Sequence, residues 1–191
     1  MDARPVADPV NATVFYALDG ARLLRSTDGG VSFSESASAK GKLASAKGSR
    51  IIRAAPAIEG ELWVALYDGG LARSLDGGKT LTNVRNVSYA GAVGFGKAAP
   101  DAARPTVYLW GSVGGVRGMF CSPDNGVRWE RINDAAHQYG GPGNGQFVVG
   151  DMNSYGVIYM STAGRGIVYG KPPGAAWRCA AKHNLGHLAK P

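Results

Sequence analysis

Three copies of one short motif stand at equal intervals along the chain. They read Ser26-Thr27-Asp28-Gly29-Gly30-Val31-Ser32-Phe33, Ser74-Leu75-Asp76-Gly77-Gly78-Lys79-Thr80-Leu81 and Ser122-Pro123-Asp124-Asn125-Gly126-Val127-Arg128-Trp129. Asp28 to Asp76 is 48 residues, and Asp76 to Asp124 is 48 again. A period of about 40–50 residues built from short strands marks a propeller blade. The repeat therefore sets the fold class: all-β, with blades of four antiparallel strands.

The motif, S-x-D-x-G followed three residues on by an apolar or aromatic side chain, is an Asp box. It reads as a hairpin turn between neighbouring strands of one blade. The carboxylates of Asp28, Asp76 and Asp124 are expected to accept backbone N–H groups within the turn. Gly30, Gly78 and Gly126 supply the positive φ that other residues reach only with strain. The serine hydroxyl closes the network, and Phe33, Leu81 or Trp129 packs inward. These aspartates are structural by role.

Strand-like runs alternate with Gly- and Asp-rich turns along the chain. Thr13–Leu18 and Arg22–Ser26 read as the second and third strands of a blade whose first strand is missing. The next unit reads as complete: Ile51–Ala57, Glu61–Tyr67, Gly70–Ser74 and Leu81–Val87. Another complete unit follows at Ala92–Phe95, Thr106–Gly111, Arg117–Ser122 and Trp129–Ile132. The last unit has Gln146–Val149, Val157–Ser161 and Arg165–Tyr169, then loses the pattern. The expectation is about two full and two partial blades over 8–170, followed by a disordered tail at 171–191. Ser34–Arg50 reads as a long surface loop.

Composition narrows the function classes. The net charge is +7 over 191 residues, but the basic residues are scattered, without a run of three and without an RNA-binding signature. Solvated surface is the expected role, and no nucleic-acid partner. No apolar run approaches the ~20 residues of a membrane span, and the N-terminus shows no signal-peptide h-region. The two cysteines, Cys121 and Cys179, do not define a disulfide framework. Cys179, His183 and His187 are spaced as three zinc ligands on one helix face would be. Gly186 breaks that helix and a fourth ligand is not evident, so no metal is expected. Gly141-Pro142-Gly143-Asn144-Gly145 lacks the Lys-Ser/Thr and the helix of a phosphate loop, and no cofactor is expected.

Asp boxes also occur in sialidases, sortilin-type receptors and photosystem assembly factors. More specific is an ordered set of segments: Val113-Gly114-Gly115-Val116-Arg117-Gly118, Arg131-Ile132-Asn133-Asp134, His137-Gln138-Tyr139-Gly140 and Gly164-Arg165-Gly166-Ile167-Val168-Tyr169-Gly170. From about Asp8 to Gly170 the chain resembles the C-terminal end of glycoside hydrolase family 74, the endo-xyloglucanases. Cys121 departs from the basic residue usual in that pattern, and the likeness stops after Gly170. The resemblance implies two seven-bladed propellers flanking a cleft for β-glucan or xyloglucan. It also implies inverting hydrolysis by two aspartates, which need a separation of ~6.5–9.5 Å to admit a water. Both family aspartates lie upstream of the matched region, so no catalytic residue is assigned here. The expectation is a fragment inactive alone, from a family that is usually secreted. The alternative is a non-catalytic Asp-box propeller module that binds glycan or protein.

Sugars stack their apolar CH faces on aromatic rings while polar groups fix their orientation. Trp110, at the end of a second strand, and His137 and Tyr139, in the loop joining two blades, are the candidate glucan contacts. The plainer readings are blade core for Trp110 and a loop-ordering hydrogen bonder for His137. Asp134 and Asp151 are expected on opposite faces, which argues against their acting as a catalytic pair. Three and a half blades cannot close a ring, so bare blade faces and self-association through them are expected.

Overall fold

The computed structural model describes residues 4–36, 43, 51–137, 146–164, 166–171 and 179. Its strands form separate antiparallel sheets in chain order. Sheet I holds β1 (Val6–Ala7), β2 (Phe15–Asp19), β3 (Arg22–Ser26) and β4 (Ser34–Glu35). Sheet II holds β5 (Ile51–Ala54), β6 (Leu62–Ala65), β7 (Leu71–Ser74) and β8 (Thr82–Asn83). Sheet III holds β9 (Val87–Gly96), β10 (Thr106–Val113), β11 (Val116–Ser122) and β12 (Glu130–Arg131). Sheet IV holds β13 (Val148–Gly150), β14 (Ile158–Ser161) and β15 (Ile167–Gly170). Each strand pairs with its sequence neighbour, the meander of a propeller blade. No helix among the described residues is long and apolar enough to cross a membrane.

The first unit differs from expectation. Val6 pairs with Tyr16 and Ala7 with Phe15, so sheet I has its first strand. Pro5 and Pro9 hide this two-residue strand, because each removes a backbone donor. Among the described residues the architecture is thus three four-stranded sheets and one of three strands.

The hairpin turns behave as the motif requires. Ser26 Oγ donates to Asp28 Oδ1 at 2.7 Å and accepts the Gly30 N–H at 2.9 Å. Asp28 accepts the Ser32 N–H at 3.0 Å. Ser74, Asp76, Gly78 and Thr80 repeat these bonds, as do Ser122, Asp124, Gly126 and Arg128. The turn holds two successive residues at positive φ, which explains why Gly29, Gly77 or Asn125 precedes the invariable glycine of the three copies.

Register makes the units superimposable. Phe15, Leu62 and Val107 each stand opposite the serine of their Asp box. The next residues, Tyr16, Trp63 and Tyr108, point to the other side of their sheets by the alternation of a strand. Each sheet therefore has a backward face, turned to the preceding sheet, and a forward face, turned to the following one. Tyr16 and Leu23 of sheet I form one core with Ile52, Leu62, Val64 and Leu81 of unit II. Trp63 and Leu71 meet Val93, Phe95, Val107 and Leu109 in the next. Tyr108, Trp110 and Met119 meet Val148, Ile158 and Met160 in the third.

The innermost strands approach closely. A Cβ on Gly94 would lie 1.9 Å from the Val148 carbonyl oxygen, and one on Gly96 would lie 2.8 Å from the Gly150 Cα. Only glycine permits β9 and β13 to pack backbone against backbone.

The last residue of each Asp box packs backward, onto the preceding sheet. Leu81 is buried against sheet I and Trp129 packs against the core shared with sheet II. Phe33 does not pack inward as expected: it is 38% exposed, because sheet I has no preceding sheet among the described residues.

Candidate functional site

Sheets III and IV do not close completely along their outer strands. Met119 and Ile132 on one side and Ile158, Met160 and Val168 on the other enclose a cavity of about 210 Å³. Trp110 contributes to the same lining, and so do Asn133, Asp134 and His137 from the loop after β12. A mostly apolar hollow with a few polar groups on one side is the usual build of a small-ligand site.

Asn133 anchors the polar side. Its Oδ1 accepts the Met119 N–H at 2.8 Å, tying the loop to β11. Its Nδ2 donates to the His137 carbonyl at 2.9 Å. Asp134 Oδ1 in turn takes the His137 backbone N–H at 2.7 Å and lies 2.7 Å from the ring Nδ1. The hydrogen bonds from the His137 ring and backbone hold the Asp134 carboxyl below the ordinary carboxylate range. Asp134 thus stays ionised at neutral pH and cannot serve as a general acid there.

The sequence-expected residues meet in part. Trp110, His137 and Asp134 line one cavity. Trp110 is a core residue as well, only 5% exposed. His137 orders its loop and faces solvent. Tyr139 lies outside the described residues. Asp151 is occupied locally, where its Oδ1 accepts the Asn153 and Ser154 N–H groups, and it is not among the residues lining the cavity.

Beside Trp110 stands an aromatic group that sequence reasoning missed. A Cβ on Gly91 would meet Trp110 Cδ1 at 2.9 Å and Tyr89 Oη at 3.3 Å, so both rings flank that glycine. Tyr89 packs edge-on to Tyr67, with centroids 5.7 Å apart. The Arg117 guanidinium lies 3.7 Å from the Tyr89 ring centroid and donates to Ser112 Oγ at 2.8 Å. Tyr67 has a φ of 53°, a conformation costly for a bulky residue. Reciprocal backbone hydrogen bonds with Ala90, at 2.8 and 3.0 Å, hold it there. Tyr67 follows β6 and Tyr89 opens β9, so no single strand pattern announces the pair.

The cysteines supply a second finding. Cys121 on β11 is joined to Cys179 by a disulfide, across 58 residues of sequence. Cys179 is 1% exposed, and its carbonyl accepts the Tyr155 hydroxyl. The zinc reading therefore fails at Cys179, whose sulfur is already bonded. His183 and His187 lie outside the described residues. No group of three metal-ligating side chains occurs among the described residues.

No family profile matches the sequence. Individual relatives do. A xyloglucanase from Paenibacillus sp is 40% identical over 177 residues, covering 90% of this chain and 17% of that protein. Xyloglucanase Xgh74A of Acetivibrio thermocellus is 42% identical over 172 residues, covering 90% of this chain and 20% of that protein. The crystal structure of the glycoside hydrolase family 74 enzyme of Niastella koreensis superimposes with a TM-score of 0.81 and 54% identity. That match covers 88% of this chain and 24% of the enzyme. The chain corresponds to the C-terminal portion of glycoside hydrolase family 74. It spans about a fifth of the length of the curated relatives it matches. The family 74 likeness read from the ordered motifs and the propeller-blade fold read from the Asp boxes thus agree with the relatives and with the sheets.

Proposed function

We propose that this portion of family 74 contributes one wall of a xyloglucan-binding surface and does not hydrolyse the polymer by itself. The binding half of the reading is supported by the relatives, which are xyloglucanases. It is supported as well by the row of rings from Trp110 through Tyr89 to Tyr67, which offers flat apolar surface to the CH faces of sugar rings.

One observation carries the catalytic half. Asp134 is the single carboxylate lining the cavity among the described residues, and His137 holds it ionised. Inverting hydrolysis needs a protonated acid and an ionised base across the scissile bond, ~6.5–9.5 Å apart. The surface therefore orients a glucan chain, and the acid–base pair belongs to another part of the cleft.

The test combines two measurements on the purified chain. Titration calorimetry with xyloglucan oligosaccharides is expected to show weak saturable binding, reduced several-fold by Tyr89→Ala and by His137→Ala. Reducing-end release from xyloglucan is expected to stay at the buffer rate. Sustained turnover would overturn the catalytic half, and undiminished binding by both variants would overturn the placement of the site.

A further inference from the structure

The core between neighbouring sheets is built to one plan throughout the chain, and the two terminal sheets carry its unmatched halves. The forward-pointing aromatics Tyr16, Trp63 and Tyr108 are each buried under the sheet that follows. Tyr159 holds the same register place in sheet IV, between Val149 and Tyr169. There the forward face is bare: Val149 is 44% exposed, and Ile167 and Tyr169 are each 64% exposed. At the other end, the backward-pointing places filled by Leu62 and Leu81 in unit II are held in unit I by Phe15 and Phe33. Leu62 and Leu81 are buried, whereas Phe15 is half-buried and Phe33 exposed.

A polar latch repeats along with the rings. Asp8 follows β1, and its Oδ1 accepts the Val10 and Asn11 N–H groups. Its Oδ2 reaches forward to the Gly60 N–H of unit II at 2.8 Å and takes the Tyr16 hydroxyl at 3.0 Å. Asp151 follows β13 and makes the same turn with Asn153 and Ser154. Asp151 and Tyr159 thus stand on sheet IV where Asp8 and Tyr16 stand on sheet I.

We propose that the 191-residue chain associates head to tail with a second copy of itself, the forward face of sheet IV of one copy packing on the backward face of sheet I of the next. The occupant is a like sheet because every other face of this kind in the chain is covered by one. The contact continues an interface the sequence already makes between I and II, II and III, and III and IV. It is heterologous: the two surfaces differ, and each copy retains one free end of either kind.

Complementary blocking tests this directly. Tyr169→Glu, alone and with Tyr159→Glu, puts a charge on the tail face, and Phe33→Glu puts one on the head face. All three positions are at least partly exposed, so near-UV circular dichroism is expected to match the parent chain. In sedimentation velocity across a concentration series, the parent chain should exceed monomer mass. Each blocked variant by itself should sediment as a monomer. An equimolar mixture of head-blocked and tail-blocked variants should form a one-to-one dimer, since one intact pair of faces remains. A monomeric parent chain would overturn the proposal. So would blocked variants as associated as the parent, or a mixture that stays monomeric. The proposal does not depend on glucan binding, which the calorimetry reads separately.

Discussion

Ser74 shows how much of the Asp box depends on one hydroxyl. It is 1% exposed, donates to Asp76 and accepts the Gly78 N–H. Ser74→Ala leaves a buried N–H without a partner, which costs ~1–3 kcal/mol; a chemical denaturation midpoint measured against the parent chain checks it. The aspartates make the turns sensitive to acid. Hydrogen bonds from the Ser32 hydroxyl and backbone hold the Asp28 carboxyl at about 2, below its ordinary 3.8. Burial alone would raise Asp76 and Asp124, but the bonds from Thr80 and Arg128 outweigh it, and both are lowered too. A carboxyl depressed by folding stabilises the fold above its unfolded pKa, and that contribution disappears as pH falls through the folded value. Stability is therefore expected to decline from about pH 4 toward pH 2, and Asp28→Asn to flatten that decline in melts recorded across the range. These roles were legible in the sequence because an Asp box is satisfied within eight residues. The fate of Phe33 was not, because the residue ending a box packs on a different sheet.

Between elements, the stakes lie in buried charge and covalent ties. Glu61 is 1% exposed, accepts the Trp63 Nε1–H at 2.9 Å and pairs with Arg104 of unit III. Arg73 adds a hydrogen bond to the Asn125 carbonyl at 2.8 Å and lies over the Trp63 ring. Arg104→Ala leaves the Glu61 carboxylate buried without its cation, a loss of ~3–5 kcal/mol for a buried pair, less here because Arg104 is half in solvent. The double variant with Glu61→Gln should recover part of that loss in the same denaturation assay. Along the strand, Glu61 reads as one polar residue before an alternating run; nothing there announces a cation 43 residues away. The disulfide was equally hidden, since Cys179 lies beyond the last repeat. Closing 58 residues constrains the unfolded chain by up to about 4 kcal/mol. Reduction, or Cys121→Ser with Cys179→Ser, is expected to lower the melting temperature, with sheets III and IV losing amide protection before sheet I in hydrogen exchange.

At the scale of the molecule, the period of 48 residues carried the fold, because each unit repeats one local plan and the sheets need only stack. The site was less legible. Trp110 and His137 were recognisable as a ring and a loop hydrogen bonder, but Tyr67, Tyr89 and Arg117 come from separate strands and meet only when units II and III pack. The same stacking governs how the whole chain melts. In a solenoid-like array, each sheet is stabilised by the neighbours covering its faces, so the end sheets are the least stable. If sheet IV of one copy covers sheet I of the next, association stabilises the folded state by mass action, and the melting temperature rises with protein concentration. The parent chain is expected to show that rise in scanning calorimetry. The Tyr159→Glu, Tyr169→Glu variant should melt at one temperature throughout the series, near that of the dilute parent chain. A concentration-independent parent melt would mean that sheet IV is as stable bare as covered, contrary to the exposure of Ile167 and Tyr169.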